Sequence, residues 1–381
     1  MNNIAPTDYL VFLIVVGLRF LLPLFIPYFP LPAIIACLLL DGVDQTIFQV
    51  FTNLPLGGYQ SYDKALDIYY LTVAYIATLR NWTNLLAFRV SRFLLYYRLV
   101  GVVLFELTQL RALLLIFPNT FEYFFIWYET VRLWWNPKKL SRRTVLIAAA
   151  AIWIVIKLPQ EYWIHIAQRD VTDTIKALLG GGPETPWGPL LAANALLIAV
   201  VVVVLAALAW LLLRFLRANL PRPDHKLRLR ADDHPDQPTA ADLERGRAIR
   251  DARIFDRDLL EKVGLVSLLM IIFSEMMPTS NASLGEVVFY VALFVVVITA
   301  LSHVLARRGT RVTSGLVHFA VVATVSAGLI ALTGWLFRET TNWLNATLFV
   351  LLLSVIVTLY DRFQPAYLAR FERGMLFRRS A

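Results

Sequence analysis

Long runs of apolar residues constrain the fold of this chain more than any other feature. A helix needs roughly 20 consecutive apolar residues to cross a bilayer, and hydrophobic residues make up 58% of the 381 residues. The runs are continuous rather than alternating, which is typical of membrane helices. We therefore predict an all-α, polytopic integral membrane helical bundle with about 11 transmembrane helices. The predicted spans are 8–28, 31–52, 65–80, 97–117, 120–135, 143–158, 189–213, 263–278, 285–306, 312–336 and 341–360.

The positions of the basic residues predict the orientation in the membrane. Lys and Arg concentrate in alternate connections, around 80–98, 132–143, 214–262 and 307–311, and in the tail 362–379. Under the positive-inside rule these segments face the cytoplasm. We expect a cytoplasmic C-terminus and an external N-terminus in a bacterial inner (plasma) membrane.

The net charge of +9 follows from the same distribution. Basic residues between apolar runs and in the tail suit the anionic lipids of the inner leaflet. We therefore expect membrane lipids as partners and no nucleic acid, and we leave protein partners open. Cys37 is the only cysteine, so no disulfide can form within one chain.

Composition divides the chain into three parts. Residues 1–213 form a predicted N-terminal membrane half with charges at membrane depth. Residues 214–262 form a charged cytoplasmic loop. Residues 263–381 form a C-terminal membrane half, mostly Ala, Val, Leu and Ile, with a basic cytoplasmic tail.

Ionisable residues within the predicted spans indicate a functional site in the first half. A charge at membrane depth is costly unless it is paired, protonated or bound to an ion. The internal acids are Asp41, Asp44, Asp67, Glu106, Glu122 and Glu129, and the internal bases are Arg19 and Arg111. Two arginines do not neutralise six carboxylates. The excess favours a bound cation or protonated acids.

The spacing of the acids predicts that several converge. Asp41 and Asp44 are three residues apart, and Asp63 and Asp67 are four apart, so each pair shares one helix face. Grouped carboxylates suit a hard divalent cation, Mg²⁺ or Ca²⁺. The predicted cation-binding residues are Asp41, Asp44, Asp63, Asp67 and Glu122, of which the four aspartates are the candidate metal ligands.

The other charged residues at this depth are predicted to act as internal charge partners. They are Arg19, Glu106, Arg111 and Glu129. An alternative reading remains open for all of these acids. Protonated or hydrogen-bonded carboxyls can also fix helix packing without binding any ion.

One stretch resembles the aspartate motif of CDP-alcohol phosphotransferases. The similarity lies in Asp41, Asp44, Gly58, Asp63 and Asp67. The chain departs from that motif where Gln45 replaces a glycine and where Phe48 and Gln49 replace an Ala-Arg pair. The charge bias also puts this turn on the outer side, whereas that family works at the cytoplasmic face. We make no family assignment from it.

Three functions follow from these features, and the sequence leaves open whether the protein is an enzyme. The first is cation-linked binding or transport through an acidic cavity in the N-terminal half. The second is a metal-dependent transferase or hydrolase acting on a lipid-linked phosphate, in which the metal stabilises phosphate charge. The third is a non-catalytic membrane subunit of a larger complex.

Overall fold

The computed structural model describes residues 6–52, 59–167, 171–182, 185–235, 237–252, 257–276, 289, 292–301, 315–337 and 342–376. The longer elements in these ranges are all helices, as predicted. In chain order they are α1 (Pro6–Leu21), α2 (Pro30–Phe51), α3 (Tyr59–Asn81), α4 (Leu85–Thr108), α5 (Ala112–Ile116), α6 (Thr120–Trp134), α7 (Arg142–Ile166), α8 (Val171–Leu178), α9 (Trp187–Ala193), α10 (Ala195–Asn219), α11 (Ala240–Ala252), α12 (Arg257–Met276), α13 (Ala292–Leu301), α14 (Gly315–Phe337) and α15 (Trp343–Leu376).

Six of the described helices are long and apolar enough to cross a membrane. They are α1, α2, α7, α10, α14 and α15. The predicted count of about eleven spans is not confirmed. The other predicted segments include helices that are more charged, such as α3 and α4, or shorter, such as α6, and the predicted span 285–306 lies partly outside the described residues.

The predicted span 97–117 is wrong as a single helix. Helix α4 begins at Leu85, where the side chain of Asn84 accepts a hydrogen bond from the Ala87 N–H at 3.1 Å. It ends at Gln109, whose φ of 56° lies in the left-handed region and breaks the helix before α5. Arginines in the first half of this helix are exposed, as is Arg89, or paired, as is Arg92. Arg92, for example, donates to Glu261 at 3.0 Å.

Helix α3 lies at the centre of the described bundle. Every residue from 65 to 79 is buried except Asp67. A helix enclosed by protein does not need a lipid-facing apolar surface, which explains why α3 carries more polar residues than a lipid-exposed span. It packs against α2, α4, α12 and α15.

An aromatic cluster fills the core beside α3. The rings of Trp82 and Tyr128 lie 3.9 Å apart between centroids, and Tyr75 contacts Phe88 and Phe121. The same hydrophobic core continues from Ile26 to Phe371. The described helices of the two predicted membrane halves therefore share one core, and the division into halves stays a prediction.

Four of the predicted basic segments meet at one end of the bundle, which we call the basic face, while the segment 307–311 lies outside the described residues. Arg80 at the end of α3 pairs with Asp232, and Lys139 pairs with Asp224 at 2.7 Å. At the same end, Arg370 donates to the backbone carbonyl of Trp82 at 3.3 Å. These contacts join four segments that the charge pattern assigned to a common side.

Residues 220–235, which we call the strap, cross the basic face with little regular structure. Their backbone is nevertheless held in place. The Asp224 N–H donates to Trp134 O at 2.8 Å, and the Ala231 N–H donates to Tyr28 O at 2.8 Å. The strap therefore spans from the end of α6 to the turn between α1 and α2.

Candidate functional site

Four aspartates surround one arginine near the N-terminal end of the chain. The guanidinium of Arg19 on α1 contacts a carboxylate oxygen of each aspartate. Its Nη1 is shared by Asp44 and Asp63, and its Nη2 is shared by Asp41 and Asp67. We call Asp41, Asp44, Asp63 and Asp67 the aspartate group. Two helices supply it, α2 with the first pair and α3 with the second.

Local packing fixes the three helices around this group. The rings of Phe20 and Tyr69 stack with centroids 5.5 Å apart, and the Tyr69 hydroxyl donates to Phe20 O at 3.1 Å. These contacts hold α1 against α3 one residue beyond Arg19. On the other side of Arg19, Phe12 packs against Phe48 of α2 with centroids 6.0 Å apart. The long Arg19 side chain is thereby directed between α2 and α3.

The aspartates differ in burial. Asp44 is buried with Arg19, whereas Asp41, Asp63 and Asp67 are partly exposed and form what we call the open rim. The side chains of Arg19 and Asp44 are each 3% exposed. Asp41 is 26% exposed, while Asp63 and Asp67 are 37% and 36% exposed. Solvent can therefore reach three of the four carboxylates, but not the charge pair beneath them.

Three of the carboxylates are close enough to share one ion. One oxygen from each of Asp41, Asp44 and Asp63 lies within 4.8 Å of the others. The predicted convergence of these three acids is confirmed. Oxygen ligands from several carboxylates are the donor set that Mg²⁺ and Ca²⁺ prefer. Asp67 completes the ring through its contact with Arg19.

The aspartate group lies far from the basic face. Asp67 precedes Arg80 by 13 residues on α3, which corresponds to about 20 Å at 1.5 Å per residue. Asp44 follows Pro30, at the basic-face end of α2, by 14 residues, or about 21 Å. The two helices thus place the group at a common depth, towards the end of the bundle opposite the basic face.

Glu122, predicted as a further cation ligand, lies in a separate polar cluster. It accepts a hydrogen bond from the Tyr70 hydroxyl at 2.5 Å and from Asn119 Nδ2 at 3.1 Å. Its second oxygen lies 3.8 Å from the ammonium of Lys157. Glu122 and Lys157 are both buried, with side chains 4% exposed. Glu122 therefore has its own counter-charge.

This second cluster extends along α7. Glu161 accepts from the Asn119 N–H at 3.0 Å, and its other oxygen lies 3.0 Å from His165 Nε2. Asn119 thus joins the two glutamates. Arg98 Nη1 lies 4.0 Å from Glu161. We call Glu122, Lys157, Glu161 and His165 the glutamate cluster.

The remaining predicted charge partners lie apart from the aspartate group. Glu129 accepts two hydrogen bonds from Arg132, at 2.9 and 2.7 Å, and one from Trp82 at 2.7 Å. Glu106 lies 3.6 Å from Lys64. Arg111, expected at the interior, is exposed in the turn before α5. Of the expected internal counter-charges, Arg19 is the one that lies among the aspartates.

Lys157 and Glu161 were missed by sequence reasoning. Lys157 stands at the last position but one of a predicted span, and Glu161 stands beyond it. In the structure α7 continues through both, with π-helical stretches at Ile152–Lys157 and Tyr162–Ile166. A π-helical stretch shifts the helix register and is frequent at functional sites. The one signal available in the sequence was Lys157, a cation within an apolar run.

Comparison of the chain with protein-family models, with curated proteins and with solved structures gives no match. Any function for the aspartate group therefore has to be argued from its own geometry and charge.

Proposed function

We propose that this protein is a polytopic membrane protein that binds a cation at the aspartate group, and that this binding is linked to ligand binding or transport. The observation that carries the proposal is the ratio of charges. Among the residues that the structure describes, four carboxylates converge on the guanidinium of Arg19. Ionised, the five side chains carry a net charge of −3, from four negative charges and one positive.

A net charge of this size is not stable in a partly buried site without further neutralisation. Like charges this close favour the binding of protons or of a cation. A divalent cation supplies two positive charges in one compact ion, and the carboxylate oxygens match its ligand preference. We therefore propose Mg²⁺ or Ca²⁺ as the ion, with protons as the alternative source of positive charge.

The direction of access is part of the proposal. The open rim belongs to the end of the bundle opposite the basic face, and the positive-inside rule makes the basic face cytoplasmic. The cation would enter from outside. We propose the same orientation for the whole chain, with a cytoplasmic C-terminus, an external N-terminus and about eleven spans in a bacterial inner membrane. Anionic inner-leaflet lipids would contact the basic loops and tail.

Ion flux in liposomes tests the transport function. Purified protein is reconstituted, and uptake of Ca²⁺, Mg²⁺ and protons is followed with ion-sensitive dyes. Asp44→Asn removes the buried charge that pairs with Arg19 and should abolish flux. Glu106→Gln is the matched control, because Glu106 is an acid that pairs with Lys64 and does not contact Arg19, and it should retain flux. Equal flux in wild type and Asp44→Asn would exclude transport through this group.

A second candidate is a metal-dependent enzyme acting on a lipid-linked phosphate. It is favoured by Lys64, whose side chain is 49% exposed and follows Asp63 directly. An exposed ammonium beside a carboxylate-held metal suits binding of a phosphate. Lipid extraction and mass spectrometry of the purified protein discriminate between the candidates. A phosphate-bearing lipid that is lost on chelation supports the enzyme, and its absence supports the first proposal.

A third candidate is a non-catalytic subunit of a larger complex. It is favoured by α10, in which no residue of the apolar window Ala195–Phe215 is buried against the described parts of the chain. A helix without buried residues leaves most of its surface available to lipid or to another protein. Purification of a stable solitary chain that binds cations would exclude an obligate subunit.

A further inference from the structure

The strap contacts the turn between α1 and α2 and the basic-face end of α3, which are parts of the three helices that form the candidate site. Ala231 is 1% exposed and its N–H donates to Tyr28 O in the turn between α1 and α2. The next strap residue, Asp232, pairs with Arg80 at the end of α3. A single turn of the strap therefore contacts both the turn that joins α1 to α2 and the end of α3.

Arg80 is the centre of this contact. Besides Asp232, its guanidinium reaches the carbonyl of Pro27 and lies 4.8 Å from the ring centroid of Tyr28. Its neighbour Asn81 is 2% exposed, donates to Pro27 O at 2.9 Å and accepts from Gln237 at 3.1 Å. These bonds tie the strap, α3 and the α1–α2 turn into one unit.

A second anchor fixes the other part of the strap to α6. The carboxylate of Asp224 accepts from Lys139 at 2.7 Å and from the Asn136 N–H at 2.9 Å. The Lys139 ammonium and the Asn136 N–H hold the pKa of Asp224 below its usual range. The strap is thus anchored at both of its ends and crosses the helix ends between them.

Packed apolar side chains separate the strap from the aspartate group. Cys37 lies on α2 one turn from Asp41, on the side of the basic face, and is 6% exposed. Ile34, one turn further, is 0% exposed, as are Val73 and Ile76 on α3. These buried side chains fill the space between the strap and the group, whereas Asp41, Asp63 and Asp67 are partly exposed.

We propose that the strap is an inner clamp. It holds the basic-face ends of α1, α2 and α3 together, and its release lets them separate so that water enters from the basic face. The inference rests on the proposed function, because a transport protein must open its site to each side in turn. Beyond that function, it identifies the strap as the element that controls opening at the basic face. The ion pair between Arg80 and Asp232 keeps the strap closed.

Cys37 is a built-in reporter for this clamp. The chain has no other cysteine, and Cys37 lies between the strap and the aspartates. Labelling is measured with a membrane-impermeant maleimide, added from either side of oriented vesicles, on wild type and on Asp232→Arg. Asp232 is 37% exposed, so the substitution leaves the buried core unchanged. It replaces the attraction between Arg80 and Asp232 by repulsion between two arginines. The matched control is Asp233→Arg, the same charge change at the next strap position.

The expected result is slow labelling of wild type and Asp233→Arg from the basic face. Asp232→Arg should label at least about tenfold faster from that face. This rate ratio corresponds to a free energy of opening that is lower by about 1.4 kcal/mol. Labelling from the opposite face should stay unchanged. Combining Asp232→Arg with Arg80→Asp should restore protection, because the pair is re-formed with its charges exchanged.

Unchanged labelling in a folded Asp232→Arg protein, or equal acceleration by Asp233→Arg, would overturn the clamp. Folding is checked on the same samples by thermal unfolding in detergent. The proposed function is tested separately by cation binding to wild type and Asp44→Asn. If wild type and Asp44→Asn bind cations equally while Asp232→Arg still exposes Cys37, the cation site is contradicted and the clamp is supported.

Discussion

The guanidinium of Arg19 on α1 pairs with the carboxylate of Asp44 on α2, and both side chains are about 3% exposed. Buried charges are costly unless they are paired. The pair ties the first two helices together and fixes the position of the guanidinium. From there Arg19 also reaches both aspartates of α3, so its guanidinium contacts all four acids.

Replacing Arg19 should make the protein depend on added cation. Arg19→Gln removes the guanidinium that contacts all four carboxylates, and breaking a buried pair costs about 3–5 kcal/mol. We expect a lower unfolding temperature in chelator and a larger rise on addition of Ca²⁺ or Mg²⁺ than in wild type. Thermal unfolding in detergent measures both effects.

Arg111→Gln is the control for this prediction, because Arg111 is exposed and outside the group. It should melt as wild type does under both conditions. If Arg19→Gln also melts as wild type in chelator, Arg19 does not neutralise the aspartates.

The glutamate cluster should contribute to stability rather than to cation affinity. Lys157→Met leaves Glu122 as an unpaired buried charge, which costs about 3–5 kcal/mol. The double variant Glu122→Gln with Lys157→Met removes both charges and should recover most of the loss. The unfolding temperatures of the two single variants and the double variant form the test. Additive losses would show that the two side chains do not interact.

The strap should loosen as the pH falls. Burial, together with the positive charges of Arg132 and His225, lowers the pKa of His234 from 6.5 to about 4. The unfolded strap takes up a proton below about pH 6.5, whereas the folded strap does not until about pH 4. Stability is therefore complete above pH 6.5 and is lost between 6.5 and 4. The slope is at most about 1.4 kcal/mol per pH unit, less solvent screening at this half-buried side chain.

Hydrogen exchange of the strap between pH 7 and pH 5 measures this effect, after correction for the intrinsic pH dependence of exchange. In His234→Gln the pH dependence of strap protection should become flatter. His165→Gln, in the glutamate cluster, should leave it unchanged. A strap whose protection does not vary with pH in wild type would contradict the assignment.

The grouping of the aspartates could be predicted because helical spacing is a local property. Separations of three and four residues place Asp41 with Asp44 and Asp63 with Asp67, and the short connection between α2 and α3 brings the two pairs together. Arg19 was expected as an internal counter-charge from its place in an apolar run. Its contact with all four acids depends on the packing of α1 between Phe48 and Tyr69, which no local pattern encodes.

The position of Glu122 and the number of spans could not be predicted in the same way. Glu122 was placed with the aspartates because Lys157 stood at the end of an apolar run and was not counted as internal. Helix α3 is enclosed by protein and can therefore carry polar residues, which lower its hydropathy below that of a lipid-exposed span. The break at Gln109 depends on one left-handed residue, which hydropathy does not reveal.

Cation binding to the purified protein tests the central claim most directly. Calorimetric titration of Ca²⁺ and Mg²⁺ is run on wild type, Asp44→Asn and the Glu106→Gln control. We predict saturable binding to wild type and the control, and at least about tenfold weaker binding to Asp44→Asn, a loss of about 1.4 kcal/mol. The absence of saturable binding to wild type, or equal affinity in wild type and Asp44→Asn, would contradict a cation site at the four aspartates.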